Sequence, residues 1–181
     1  MRTYGFTLLE LLLVVGVSAI LIVGGISTYN LVSNGMKVNE TVALLNIIVE
    51  RTHKYYPNLD YGTDDIEGLL INTGSVPKKY YSATAGHIRT PFGDSTNAIS
   101  VIGSAGTGDA NADIDIQMRV PPALLVQILS IFNVHANGVI ACGVSVSYMS
   151  SENTLPLDQV SDACGSSMTL PDTPNLIYYA R

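Results

Sequence analysis

From Leu11 to Met36 the chain carries no charged residue, a run of 26 positions whose densest apolar part is Leu11 to Ile26. About 20 apolar residues of helix cross the hydrocarbon of a bilayer, so this run predicts a membrane-spanning helix. It is too long for the core of a secretory signal, and no small-x-small cleavage pattern follows it. Tyr29, Asn30, Ser33 and Asn34 make a polar exit. Arg2 on one flank, with no further cation before Lys37, places the N-terminus in the cytoplasm by the positive-inside bias. The remainder is then expected outside it.

Beyond Lys37 the helical period continues. Val38, Val42, Leu45 and Val49 recur every three or four residues, and Leu44, Ile47 and Ile48 widen the face. Glu40, Glu50, Arg51 and Lys54 fall mostly elsewhere, and Pro57 is the expected stop. The expectation is one helix over 6–56, about 75 Å long, with residues 6–30 bare and its second half under a globular head at 57–181.

Within the head the periods are weaker. A short helix is expected from Asp64 to Ile71 after Thr63, closing near Gly74. Residues 75–97 read as loop, with a turn at Thr90-Pro-Phe-Gly93. Ala98 to Ile102, Ile114 to Val120, Val139 to Tyr148 and Leu176 to Tyr179 read as strands. Pro121-Pro122 opens a buried helix running to Phe132. The class is therefore α+β, a long N-terminal helix packed on an antiparallel sheet.

Composition sharpens this picture. The chain is 47% hydrophobic and 13% charged, with net charge −6 and scattered cations of which Lys78-Lys79 is the one pair. An acidic, dispersed surface argues against nucleic acid as the main partner. The two cysteines, Cys142 and Cys164, both lie in the last quarter. Outside the cytoplasm an even count of two reads as one disulfide, worth roughly 3 kcal/mol in the chain-entropy model. There is no CxxC and no nearby histidine to suggest metal or redox chemistry.

Glu10 needs an explanation, because a carboxylate in a bilayer costs about 2.5 to 3.5 kcal/mol at the helix centre and less near the interface. One reading is an interfacial glutamate reaching the headgroups. The other is a cationic partner on a neighbouring chain. The adjacent Gly24-Gly25 also has two compatible readings. Glycine costs a helix roughly 0.5 to 1 kcal/mol against alanine, which makes the pair a place to unwind. Small residues equally let helices approach closely.

Read together, Met1-Arg-Thr-Tyr-Gly5, then Phe6-Thr-Leu-Leu-Glu10 and the uncharged run resemble the N-terminus of a type IV prepilin. The likeness covers roughly the first 35 residues well and the rest loosely. It implies a leader at 1–5, cleavage by a prepilin peptidase between Gly5 and Phe6, and N-methylation of Phe6. It further implies that Glu10 meets the freed amine of Phe6 on a neighbouring subunit during assembly. The fold implied is that of a type IV pilin, with a variable, disulfide-bounded region at 142–164. The function implied is that of a major pilin, a structural subunit of an extracellular filament and not an enzyme, without a cofactor. Its partners would be copies of itself, the inner membrane as precursor, the peptidase and the pilus assembly machinery. The helix at 122–132 and the segment from Arg89 to Asp94 are more similar to type IVb pilins, whereas the short leader is more similar to type IVa. Many pilins have a proline near Ser27, and this chain has none.

Rival readings are a minor pilin or a type II secretion pseudopilin with the same N-terminus, a membrane-anchored envelope enzyme, and a tip adhesin. Pseudopilins often carry calcium where this chain carries cysteines. Catalytic motifs are weak. Ser75-Val-Pro-Lys78 lacks the companion motifs of an S-x-x-K enzyme. Gly103-Ser-Ala-Gly106-Thr-Gly108 lacks the lysine of a P-loop. His53, His87 and His135 have no zinc spacing, and Asp109, Asp113 and Asp115 read as turn and strand edge. The tyrosine doublets 55–56, 80–81 and 178–179 are expected in core and rim packing.

Overall fold

The computed structural model describes residues 7–56, 65–82, 86–93, 99–104, 113–132, 138–142, 144–147, 157–165 and 175–179. The chain divides into two compact units, Met1–Met36 and Lys37–Arg181. A single helix, α1, runs Leu8–Tyr55 through that division.

In the first unit α1 buries nothing. Its large apolar side chains from Leu8 to Met36 are 50% to 79% exposed. In the second unit the same helix buries Val38, Val42, Leu44, Leu45, Ile48 and Val49. Thr41 and Thr52 are buried on that face too. Their hydroxyls donate to the carbonyls of Lys37 and Ile48, each at 2.8 Å, so neither is left unpaired.

Helix α2, Ile66–Asn72, starts at Asp65, whose carboxylate accepts the Gly68 N–H at 3.1 Å. It ends in a Schellman turn. Gly74 takes φ +67, its N–H donates to Ile71 O, and the Ser75 N–H donates to Leu70 O. A 3₁₀ turn follows at Lys78–Tyr80, where the sequence pattern indicated only loop.

Five strands form one antiparallel sheet: β1 Ile99–Ser104, β2 Asp113–Met118, β3 Gly138–Ala141, β4 Val144–Ser147 and β5 Asn175–Tyr179. Their spatial order is β1-β2-β5-β3-β4. The β1–β2 register sets Ile99 opposite Met118 and Val101 opposite Ile116. These four are fully buried, whereas Ile102, one residue out of phase, is 39% exposed. This alternation is the period of a sheet with one face on a core.

Helix α3 spans Pro122–Phe132, with Pro122 in the first turn and Pro121 O accepting from Leu124 and Leu125 N–H. Helix α4 spans Leu157–Cys164. The α1 residues from Val38 onward, Ile66 and Leu70 of α2, the inward residues of β1 and β2, Leu125 and Ile128 of α3, and Val160 of α4 share one hydrophobic core. The layout is α+β.

Two elements differ from the sequence expectation. The stretch read as one strand from Val139 to Tyr148 is a hairpin, with Ala141 paired to Val144 and Cys142 at φ +53. An X-Gly pair between β-branched runs is a hairpin signal even when X is cysteine, because the tight turn demands positive φ. Helix α4, inside the disulfide-bounded region 142–164, has no counterpart among the elements expected from the sequence. Thr63 and Asp64, the expected start of α2, lie outside the described residues.

Candidate functional site

The head of α1 holds the residue that the sequence singles out. Thr7 precedes the helix, and its hydroxyl accepts the Glu10 N–H at 3.3 Å. In return Oε2 of Glu10 accepts from both the N–H and the hydroxyl of Thr7, each at 3.2 Å. This is a reciprocal capping box, in which the residue before the helix and the third residue inside it satisfy each other's orphan groups. The carboxylate also lies at the positive end of the helix dipole.

The role of Thr7 was missed, although the signal is short and local: Thr-x-x-Glu immediately ahead of an apolar run. In this chain Glu10 thus has an intramolecular partner. Gly5 and Phe6, the expected cleavage and methylation positions, lie outside the described residues.

Further along, Gly24 and Gly25 stand inside the continuous helix. A Cβ added at either would meet nothing within 4 Å. One turn on, the Ser27 hydroxyl donates to Val23 O at 3.1 Å and Thr28 donates to Gly24 O at 3.0 Å. These carbonyls therefore have a second partner beside the helix ladder. By length and composition α1 is apolar enough to cross a membrane.

At the other end of the chain Cys142 and Cys164 form a disulfide, with Cα atoms 5.3 Å apart. It ties the β3–β4 turn to the last residue of α4.

The remaining candidates do not converge. Ser75 Oγ lies 3.2 Å from the Tyr55 hydroxyl and 2.9 Å from that of Thr73. Lys78 belongs to the 3₁₀ turn. Asp113 and Asp115 alternate along β2, opposite Ser104 and Ile102. Asp109, His135 and most of the glycine-rich segment 103–108 lie outside the described residues. Among the described residues no three His, Cys, Asp or Glu side chains group to hold a metal.

One buried carboxylate escaped sequence reading. Glu67, on α2, is 3% exposed and accepts the Ile88 N–H at 2.6 Å. His87 Nδ1 lies 3.6 Å from the same oxygen. Burial pushes the Glu67 carboxyl up to about 7, against the opposing pull of the Ile88 N–H and of His87. No family model, curated protein or solved structure matches this chain.

Proposed function

We propose that the chain is a membrane-inserted building block whose N-terminal helix ends up in a helical bundle with copies of itself. More narrowly, we propose a type IV pilin, type IVb-like, cleaved between Gly5 and Phe6 and assembled into an extracellular filament. The observation that carries this reading is the Glu10 carboxylate at the head of a helix whose large apolar side chains from Leu8 to Met36 are all exposed.

A surface of that kind is untenable in water. Only a bilayer or a sheath of similar helices covers it on every side. In either setting the Glu10 carboxylate is costly alone, and a cation beside it offsets the cost. The amine freed on Phe6 of a neighbouring subunit is such a cation. An unmatched Glu10 would penalise docking at any other height, so the pair fixes register. The capping box supports the reading further, because it gives the carboxylate a resting partner before assembly. A globular head with a sheet, closed late in the sequence by Cys142–Cys164, suits a subunit exposed outside the cytoplasm.

Glutamine at position 10 separates cap from charge, since a capping box accepts Glu or Gln at that place. Glu10→Gln should therefore leave α1 and membrane insertion intact while cells lose surface filaments by electron microscopy. Filaments at wild-type length and number in this variant would refute the pairing role.

A further inference from the structure

Four cations of this acidic chain gather on one small part of the head. Lys37 opens the second unit, with its Nζ over the Phe92 ring at 5.9 Å. Phe92 sits in the turn 90–93, next to Arg89. The Arg89 Nε–H donates to Lys79 O at 2.8 Å, and its backbone N–H donates to Tyr80 O at 2.8 Å. Lys79 Nζ in turn binds Glu40 Oε1 at 2.6 Å and lies over the Tyr80 ring at 4.6 Å. Lys78 is its exposed neighbour in the 3₁₀ turn. Glu40 also accepts from the Tyr80 hydroxyl at 3.0 Å.

Glu40 neutralises one of these four cations and leaves three, on a chain whose net charge is −6. Folding leaves the remainder unexplained: among the described residues the Lys78 side chain meets no hydrogen-bond or ion-pair partner, and the Lys37 ammonium meets the Phe92 ring alone. Position supplies the second observation. Lys37 is the first charged residue after the uncharged run, 27 residues beyond Glu10. That is about 40 Å of helix, against roughly 30 Å of hydrocarbon and 40–45 Å including headgroups.

We propose that Lys37, Lys78, Lys79 and Arg89 form a docking surface for the headgroups of anionic phospholipids, holding the head against the bilayer while α1 is inserted. The inference rests on the membrane-spanning reading of α1. Basic side chains just beyond a membrane helix are attracted to anionic lipid within about a Debye length, some 8 Å at physiological salt. The aromatic rings of Phe92 and Tyr80 hold two of the ammonium groups in place by cation–π attraction.

The test uses the full chain reconstituted in phosphatidylcholine vesicles, with or without about one-third phosphatidylglycerol. Lysines are labelled with an amine-reactive reagent and their rates read site by site by mass spectrometry. Lys78 and Lys79 should react about threefold or more slowly on the anionic vesicles, and the difference should vanish near 0.5 M salt, where the Debye length is about 4 Å. Lys54, 17 residues or about 25 Å further along α1 than Lys37, should not change. The double variant Lys37→Gln/Lys78→Gln should reduce the effect at Lys79.

Equal rates on both vesicles, with the chain resistant to alkaline extraction from each, overturn the docking surface alone. Release of the chain by alkali from both overturns the membrane-spanning reading with it. Slowing by added duplex DNA but not by phosphatidylglycerol would assign the patch to nucleic acid and overturn the lipid proposal.

Discussion

The N–H of Ile88 and the carboxylate of Glu67 meet at 2.6 Å inside the head, where Glu67 is 3% exposed. This contact ties α2 to a segment that also bridges Tyr81 and Ile99 through Ile88. Burial disfavours the charged form, and Asp65 adds repulsion, so the Glu67 carboxyl titrates at about 7. Folding therefore holds a proton that the unfolded chain has released. The contribution to stability is full below about pH 4.5 and is lost as pH rises through 7.

Its ceiling is about 3 kcal/mol between those limits. Glu67→Gln keeps an acceptor for Ile88 and removes the titration. Urea denaturation of the detergent-solubilised chain from pH 5 to 8 should show stability falling in the wild type and a flatter profile in the variant. The same slope in both would assign the pH dependence elsewhere.

The two halves of α1 should respond oppositely to truncation. Leu45 is fully buried in the head, whereas Leu12 is 65% exposed. Leu45→Ala should cost the head about 2 to 5 kcal/mol through lost burial and a residual cavity. Leu12→Ala should change head stability by less than about 0.5 kcal/mol. Thermal melts of the two variants in the same detergent separate these outcomes.

Such a division was legible in the sequence because burial writes its own period. Charge-free residues to Met36 and a three-to-four spacing from Val38 are different signatures, although one helix carries both. The strands β1, β2 and β5 were legible by alternation. The hairpin at Cys142 was not, because cysteine disguised a turn pair between two apolar runs. Helix α4 was missed for a related reason. Its apolar side chains Leu157, Val160 and Cys164 are few and lie in a polar stretch, so the three-and-four spacing is faint. Of the candidate site, Glu10 stood out as a charge in an apolar context. Its partner Thr7 went unseen although it is three residues away. Glu67 was hidden for a deeper reason, since only the tertiary fold buries it against Ile88.

Removing the disulfide by Cys142→Ser/Cys164→Ser should lower head stability by roughly 3 kcal/mol. The loss should be felt first where the bond anchors, at the β3–β4 turn and α4. Hydrogen exchange resolved by peptide is the suitable readout. Melting unchanged by reduction of the wild type would mean that packing alone holds α4.

Gly24 and Gly25 face open space, so alanine fits at either position. Gly24→Ala/Gly25→Ala should stabilise the helix by about 1 to 2 kcal/mol in total. If the pair serves as the unwinding point during assembly, the variant should insert normally in the membrane and yield fewer or shorter filaments. Wild-type filament yield would leave the glycines with close helix packing as their role.

The most direct test of the filament proposal is the intact mass of material sheared from cells expressing the chain. A dominant species lacking Met1 to Gly5, heavier by one methyl group and lighter by the two hydrogens of the Cys142–Cys164 bond, is the expected result. A chain that keeps its first five residues and stays in the membrane fraction, while other filaments shear off, would contradict it.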